Sequence, residues 1–233
     1  MNDEDVPADN LGNEETRLLS DEPDWYYLLR EYYEMYRSSS AGGSSKIRAH
    51  QRLVRGTISK IWETNPAVVL DEPVEKPVCI HLKRALDRGR LQSTATVIRA
   101  IESVVPQLRW LYGYDRVPKH LLRKFAYAEV IGPRGPIVSS RLIVGLVLFA
   151  PRCVYPSHSH HGLTESYFCL SGSVSENDAG VYAPGSLIFN PPGLSHRITV
   201  DAREPCLLAY AWTGAEHDLV GQKMIFSRSK ALA

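Results

Sequence analysis

Cysteine is scarce in this chain of 233 residues. Cys79, Cys153, Cys169 and Cys206 lie far apart and form no C-x-x-C pair, which excludes a zinc knuckle and a thioredoxin-type redox motif and leaves buried free thiols as the expectation. No apolar run approaches the roughly 18 residues that a membrane span needs, so no membrane partner is expected. No repeat stands out at a period of about 20 to 50 residues, which argues against propellers and solenoids. Net charge is almost lacking too, at +1, but it is unevenly spread. Nine carboxylates among the first 24 residues face Arg17 alone, so the remainder is net basic by about nine charges. Residues 1–20 therefore read as an acidic, disordered tail. An acidic start is the opposite of the basic start of a signal peptide, and the expected location is cytoplasmic.

Histidine, although it occurs only eight times, is concentrated where it can do chemistry. In the stretch from Tyr155 to Gly172, His158, His160, His161 and Glu165 fall within eight positions. In an extended chain side chains alternate with a period of two, so His158 and His160 share one face. His161 faces the other way and reads as a loop or supporting residue. A second stretch runs from Gly185 through Pro191-Pro192-Gly193 to His196, a tight turn delivering one more imidazole to the start of a strand. Three imidazoles and one carboxylate suit a divalent transition metal such as Zn, Mn or Fe(II), whereas an all-oxygen set would suit Mg or Ca.

The two stretches resemble the paired motifs of the cupin superfamily, G-x5-H-x-H-x(3,4)-E-x6-G and G-x5-7-P-x-G-x2-H-x3-N. His158, His160, Glu165 and Gly172 match the first, and Gly185, Pro191, Gly193 and His196 match the second. Arg152 stands where the leading glycine belongs and Val200 where the closing asparagine belongs; neither is a ligand position.

The rest of the pattern is mixed α and β. Trp25 to Tyr36 carries apolar and aromatic residues at 25, 28, 29, 32, 33 and 36 behind an acidic, proline-containing start, as a helix does. Ser38 to Ser45 is a loop by composition, and helices are expected over 46–63, 78–88 and 93–105. Arg48, Arg52, Arg55 and Lys60 read as a solvated helix face, so no nucleic-acid partner is expected. From about Lys124 the pattern turns to short strands with turns every eight to twelve residues or so, which predicts a sandwich or barrel. The expected organisation is α+β: a helical region over 21–122, then a cupin (double-stranded β-helix, jelly-roll) barrel over 123–228. Exposed helices and an aromatic first half make a homodimer the expected assembly.

Tyr155 and Tyr167 are expected to point at the ion. A nearby divalent cation favours a phenolate, which makes such a tyrosine a candidate general base. With Tyr-x4-His-x-His, Glu-x-Tyr, the later Pro-x-Gly-x2-His and a helical first half, the chain resembles the cupin-type dimethylsulfoniopropionate lyases, nearest the DddL branch. The resemblance implies β-elimination of dimethylsulfoniopropionate to dimethyl sulfide and acrylate. Carried over, His158, His160, Glu165 and His196 hold the metal and Tyr167 takes the α-proton. Aromatic faces near the site suit a sulfonium cation, and Tyr182, Phe189, Tyr210 and Trp212 are the candidates. Two other classes fit the same ligands: an Fe(II) cupin dioxygenase acting on a small acid or thiol, and a non-enzymatic small-molecule sensor. The sensor would ordinarily carry a helix-turn-helix, and residues 25–122 contain no convincing one.

Overall fold

The computed structural model describes residues 17–113 and 117–222, together with the backbone of 224–226. The expected acidic tail lies, up to residue 16, outside the described residues.

The first helix, α1 (Pro23–Ser38), starts on a proline whose missing N–H costs nothing there. It buries Trp25, Leu28, Leu29, Tyr32 and Tyr36 of the expected face, while Tyr33 is half-buried and Met35 is buried in addition. Two of its tyrosines are packing residues with anchored hydroxyls: Tyr32 donates to the Gly145 carbonyl at 2.8 Å, and the Tyr36 hydroxyl lies 2.8 Å from that of Ser166. Helix α2 (Ser45–Thr64) is capped by Ser44, whose side chain accepts from the Ile47 amide, and ends on Asn65 in the left-handed region. The segment expected as one helix over 78–88 is a 3-10 turn (Pro77–His81) running into α3 (Leu82–Gly89), and α4 (Ala95–Val104) completes the helical layer.

Eleven strands follow among the described residues: β1 (Phe125–Gly132), β2 (Ile137–Val138), β3 (Ile143–Phe149), β4 (Val154–His160), β5 (Thr164–Ser171), β6 (Val174–Glu176), β7 (Val181–Tyr182), β8 (Leu187–Asn190), β9 (His196–Val200), β10 (Cys206–Thr213) and β11 (Met224–Phe226), with a short helix α5 (Glu216–Val220) before the last. Ser139 to Leu142 leave the ladder between β2 and β3. Two sheets form, one in the order β2-β1-β3-β10-β5-β8 and one in the order β11-β4-β9-β6-β7. Every pairing is antiparallel except that of β1 with β2. This is the two-sheet roll of a cupin, with helices over one sheet.

Two cores explain the layering. One joins the helices to the outer face of the larger sheet, through Trp25, Leu28, Ile98 and Ile101 against Leu146, Leu148, Phe168 and Leu170. The other lies between the sheets, with Phe149, Tyr155, Tyr167, Cys169, Ile198 and Tyr210. Strands of the larger sheet are thus buried on both faces, which is why β3 reads as an unbroken apolar run. Fully burying such side chains is worth about 1.5–3 kcal/mol each, so the helical layer is part of the same folding unit as the barrel. The thiols are free, and burial pushes that of Cys153 up to about 12, leaving it inert.

The missing motif glycine has a conformational cost. Arg152 sits at φ 59°, the left-handed region that glycine adopts without penalty, while its amide donates to the Asp201 carbonyl at 2.9 Å. A side chain there costs about 1–2 kcal/mol, partly offset because glycine loses about 0.4–1 kcal/mol through a freer unfolded chain. Arg152→Gly is therefore expected to stabilise the fold by up to about 1 kcal/mol, read as a higher urea midpoint at unchanged slope. A lower midpoint would contradict a strained turn.

Candidate metal centre

Strand β4 brings in His158 and His160, β5 brings Glu165, and β9 opens with His196. The local turn does what its residues require. Leu194 donates back to the Pro191 carbonyl at 3.1 Å around Pro192 and Gly193, and Gly193 takes φ 76°, the glycine position of a type II turn. The Gly193 amide donates to the His160 carbonyl at 2.9 Å, tying the second motif to the first. In the ladder His158 lies directly opposite His196.

One ligand atom from each of His158, His160, Glu165 and His196 lies within 4.8 Å of all the others. Bonds of about 2.1 Å span up to ~4.2 Å between opposite ligands, so the set closes on an ion with sub-ångström movement. Hydrogen bonding prepares two of the rings. His158 Nδ1 donates to the Pro156 carbonyl at 2.9 Å and His196 Nδ1 to the Leu194 carbonyl at 3.1 Å. A carbonyl can only accept, so each Nδ1 carries a proton; His158 Nε2 then has a lone pair for a metal, and His196 Nε2, which faces the Glu165 carboxylate, offers one once an ion takes the place of its proton. His160 is only 3% exposed, and among the described residues neither ring nitrogen makes a hydrogen bond, Nε2 having only Glu165 Oε1 at 3.5 Å. An imidazole buried in that state is costly unless something binds it, and an ion is what the surrounding donors fit.

Glu165 is fully buried. Burial pushes its carboxyl up, but His160 and His196 beside it prevail and hold it well below the usual carboxylate range. Its Oε2 is 2.9 Å from His196 Nε2 and its Oε1 3.5 Å from His160 Nε2. Two neutral donors fix it further: Trp212 Nε1 donates to Oε1 at 2.7 Å and Asn190 Nδ2 to Oε2 at 3.2 Å. The Asn190 amide also donates to Glu176 at 2.9 Å; that carboxyl is raised, chiefly by burial. Asn190 and Glu176 were missed in the sequence, although Asn190 lies just before the second motif's proline at an inward-facing position, where a polar residue calls for an explanation.

A cavity opens beside His158 and Glu165, and Tyr155, Tyr167, Tyr210 and Trp212 line it together with Phe125, Tyr127, Phe149 and Arg134. Tyr167 follows Glu165 by two on β5 and shares its face. Burial first, and then the charge of the nearby Glu165 carboxylate, raise its phenol well above 10. Tyr155 reaches the same interior differently. It lies three residues before His158, an odd spacing that would put it on the opposite face of a regular strand. The β4–β9 register shifts between Tyr155 and His158, and this bulge turns both inward, with the phenol edge-on to the imidazole at 4.9 Å.

Two sequence candidates are elsewhere. Phe189 does not line the cavity: Ile188 and Asn190 take the inward positions of β8, so Phe189 faces the helices and meets the edge of His50 at 5.6 Å. Tyr182, half-buried on the edge strand β7, packs on the inner core and does not line the cavity either. His161 is exposed, outside the ligand set. Among the described residues no helix is long and apolar enough to cross a membrane.

Fold and residue cluster together define a cupin-like roll with a buried three-histidine, one-carboxylate set that could hold a metal ion. Residues 50–208 match the model of the dimethylsulfoniopropionate lyase family. A Cereibacter sphaeroides protein assigned as the dimethylsulfoniopropionate lyase DddL is 55% identical over 201 residues, covering 86% of this chain and 87% of that protein. This chain belongs to the dimethylsulfoniopropionate lyase family, whose members are carbon–sulfur lyases. Solved structures share the fold. The crystal structure of the lyase DddQ from Ruegeria pomeroyi superposes with a TM-score of 0.65 at 19% identity, over 90% of this chain and 98% of that one. A structure reported with the lyases RdDddP and RnDddQII gives 0.65 at 22% identity, over 89% and 99%.

Proposed function

We propose that the protein is a metal-dependent lyase that cleaves dimethylsulfoniopropionate by β-elimination, with Tyr167 as the general base. The observation that carries this reading is Tyr167 lining one aromatic cavity with His158 and Glu165 of the ligand set, its ring 6.3 Å from that of His196. His158, His160, Glu165 and His196 would hold the ion, which when bound supplies a Lewis acid for the substrate carboxylate and a positive charge that favours phenolate.

The chain's own residues do the rest. Tyr167 Oη takes the proton from the α-carbon; the C–H electron pair becomes the new double bond of acrylate. The Cβ–S pair leaves with sulfur, turning the sulfonium into neutral dimethyl sulfide. No electron acceptor is needed. The rings of Phe125, Tyr155, Tyr210 and Trp212 give the sulfonium apolar and π-faced surroundings, which favour a soft cation.

Metal-loaded protein given dimethylsulfoniopropionate in an anaerobic sealed vial is expected to release dimethyl sulfide to the headspace and acrylate to the liquid in equal amounts. Turnover that starts only when oxygen is admitted would reject the elimination in favour of an Fe(II) dioxygenase.

A further inference from the structure

His50 takes no part in the chemistry above and lies on the far side of the larger sheet from the cavity, yet it is 4% exposed and both ring nitrogens are engaged. Nε2 is 2.8 Å from Ser166 Oγ and Nδ1 is 3.0 Å from Thr213 Oγ1. Ser166 follows Glu165 on β5, and Thr213 follows Trp212 on β10. The ladder pairs Glu165 directly with Trp212. Because strand side chains alternate, the two hydroxyls emerge on the helical face immediately beside the two groups that meet on the cavity face.

The same two strands are therefore linked twice at one level. Within the barrel the link is the 2.7 Å bond from the indole to the metal-binding carboxylate; behind it the link is the imidazole of α2. We propose that His50 is a positioning residue that holds the Glu165–Trp212 pair of the metal centre in register from outside the barrel. The proposal rests on the reading of that centre as metal-binding.

Three features separate this role from ordinary packing. Burial lowers the imidazole pKa to about 4, so the ring is neutral and offers one donor and one acceptor, which two hydroxyls can match. A residue needed only for volume would be aliphatic, since the ring sits among the edges of Tyr36 and Phe189. Tyr36 adds a further tie, its hydroxyl 2.8 Å from Ser166 Oγ, so both α1 and α2 converge on the residue next to the carboxylate ligand. Groups behind a metal ligand are commonly worth about 10–100-fold in affinity or activity, and His50 stands one bond further back, so about tenfold is expected.

The test uses Co(II) added to the metal-free full-length protein, read by its visible ligand-field spectrum and by competition with a chelator, alongside kcat and KM. His50→Leu, which keeps the volume and removes both bonds, is expected to bind Co(II) about tenfold more weakly, to shift the ligand-field bands and to lower kcat more than it raises KM. His50→Gln and His50→Asn, each able to restore one of the two bonds, are expected to recover part of the loss. A folded His50→Leu protein with a lower melting temperature but wild-type Co(II) spectrum, affinity and kcat overturns the proposal. Should His50→Leu not fold, Thr213→Val removes one of the two bonds at nearly constant shape, and an unchanged spectrum and affinity there overturns it equally. Wild-type protein that binds no Co(II) rejects the metal reading and this proposal with it, whereas normal wild-type binding with unchanged variants rejects the positioning role alone.

Discussion

Tyr167→Phe is expected to lower kcat for dimethylsulfoniopropionate cleavage by about 10²–10⁴-fold with metal content unchanged. That range is what a positioned general base contributes, and it corresponds to about 2.7–5.4 kcal/mol at 1.36 kcal/mol per tenfold. The ring of Tyr167 is buried in the inner core and Phe preserves its packing. The groups that orient Glu165, Trp212 and Asn190, are untouched, so the ligand set stays intact. Metal analysis and steady-state kinetics on the same preparation separate the two effects. Near-normal kcat would remove Tyr167 from proton transfer and direct attention to Tyr155, which lines the same cavity beside His158.

His196→Ala is expected to cost the centre its metal. It removes one of four ligands, and since changes merely behind a ligand cost about 10–100-fold, affinity should fall by more than about 100-fold. The consequence extends to the metal-free protein. His196 Nε2 is 2.9 Å from Glu165 Oε2, both side chains being fully buried. Removing one member of a buried ion pair typically costs about 3–5 kcal/mol, because it strands a charge. Here the Trp212 and Asn190 donors still serve Glu165, so the lower end applies. The variant should therefore melt below wild type with and without metal, and should release no dimethyl sulfide. Stoichiometric metal in purified His196→Ala protein would show that the ligands are misassigned.

The two effects differ in kind because the cavity face of β5 alternates between roles. Glu165 and Tyr167 point the same way two residues apart, so one strand supplies both a ligand and the proposed base, while the intervening Ser166 faces the helices. A change at 165 or 167 acts directly on the chemistry. At 166 it acts through the strand.

The four ligand candidates, the turn that delivers His196 and the helical-then-β order are all legible in the sequence. Each depends on residues a few positions apart: the period of two that aligns His158 with His160, the Pro192-Gly193 turn, and the apolar spacing of α1. Local spacing constrains local geometry, and that suffices for a motif. Where a prediction depended on strand parity over a longer stretch, the outcome turned on the ladder. Tyr155 faces the cavity only because the β4–β9 register shifts before His158. Phe189 faces away because Ile188 and Asn190 occupy the inward positions of β8.

What only the tertiary structure decided is the support of those ligands and the walls around them. Trp212 reaches Glu165 across 47 positions, Asn190 across 25, and His50 reaches Ser166 across 116. Phe125 and Phe149 come to the cavity through the pairing of β1 with β3. Such contacts leave no period in the sequence, since they arise from which strands lie side by side and which helices cover them, and that is settled by burying one continuous core on both faces of a sheet. The candidate ligand set is therefore written in short motifs, whereas the fixed orientation of Glu165 and the shape of the aromatic cavity exist only once the chain has closed into its two sheets and helical layer.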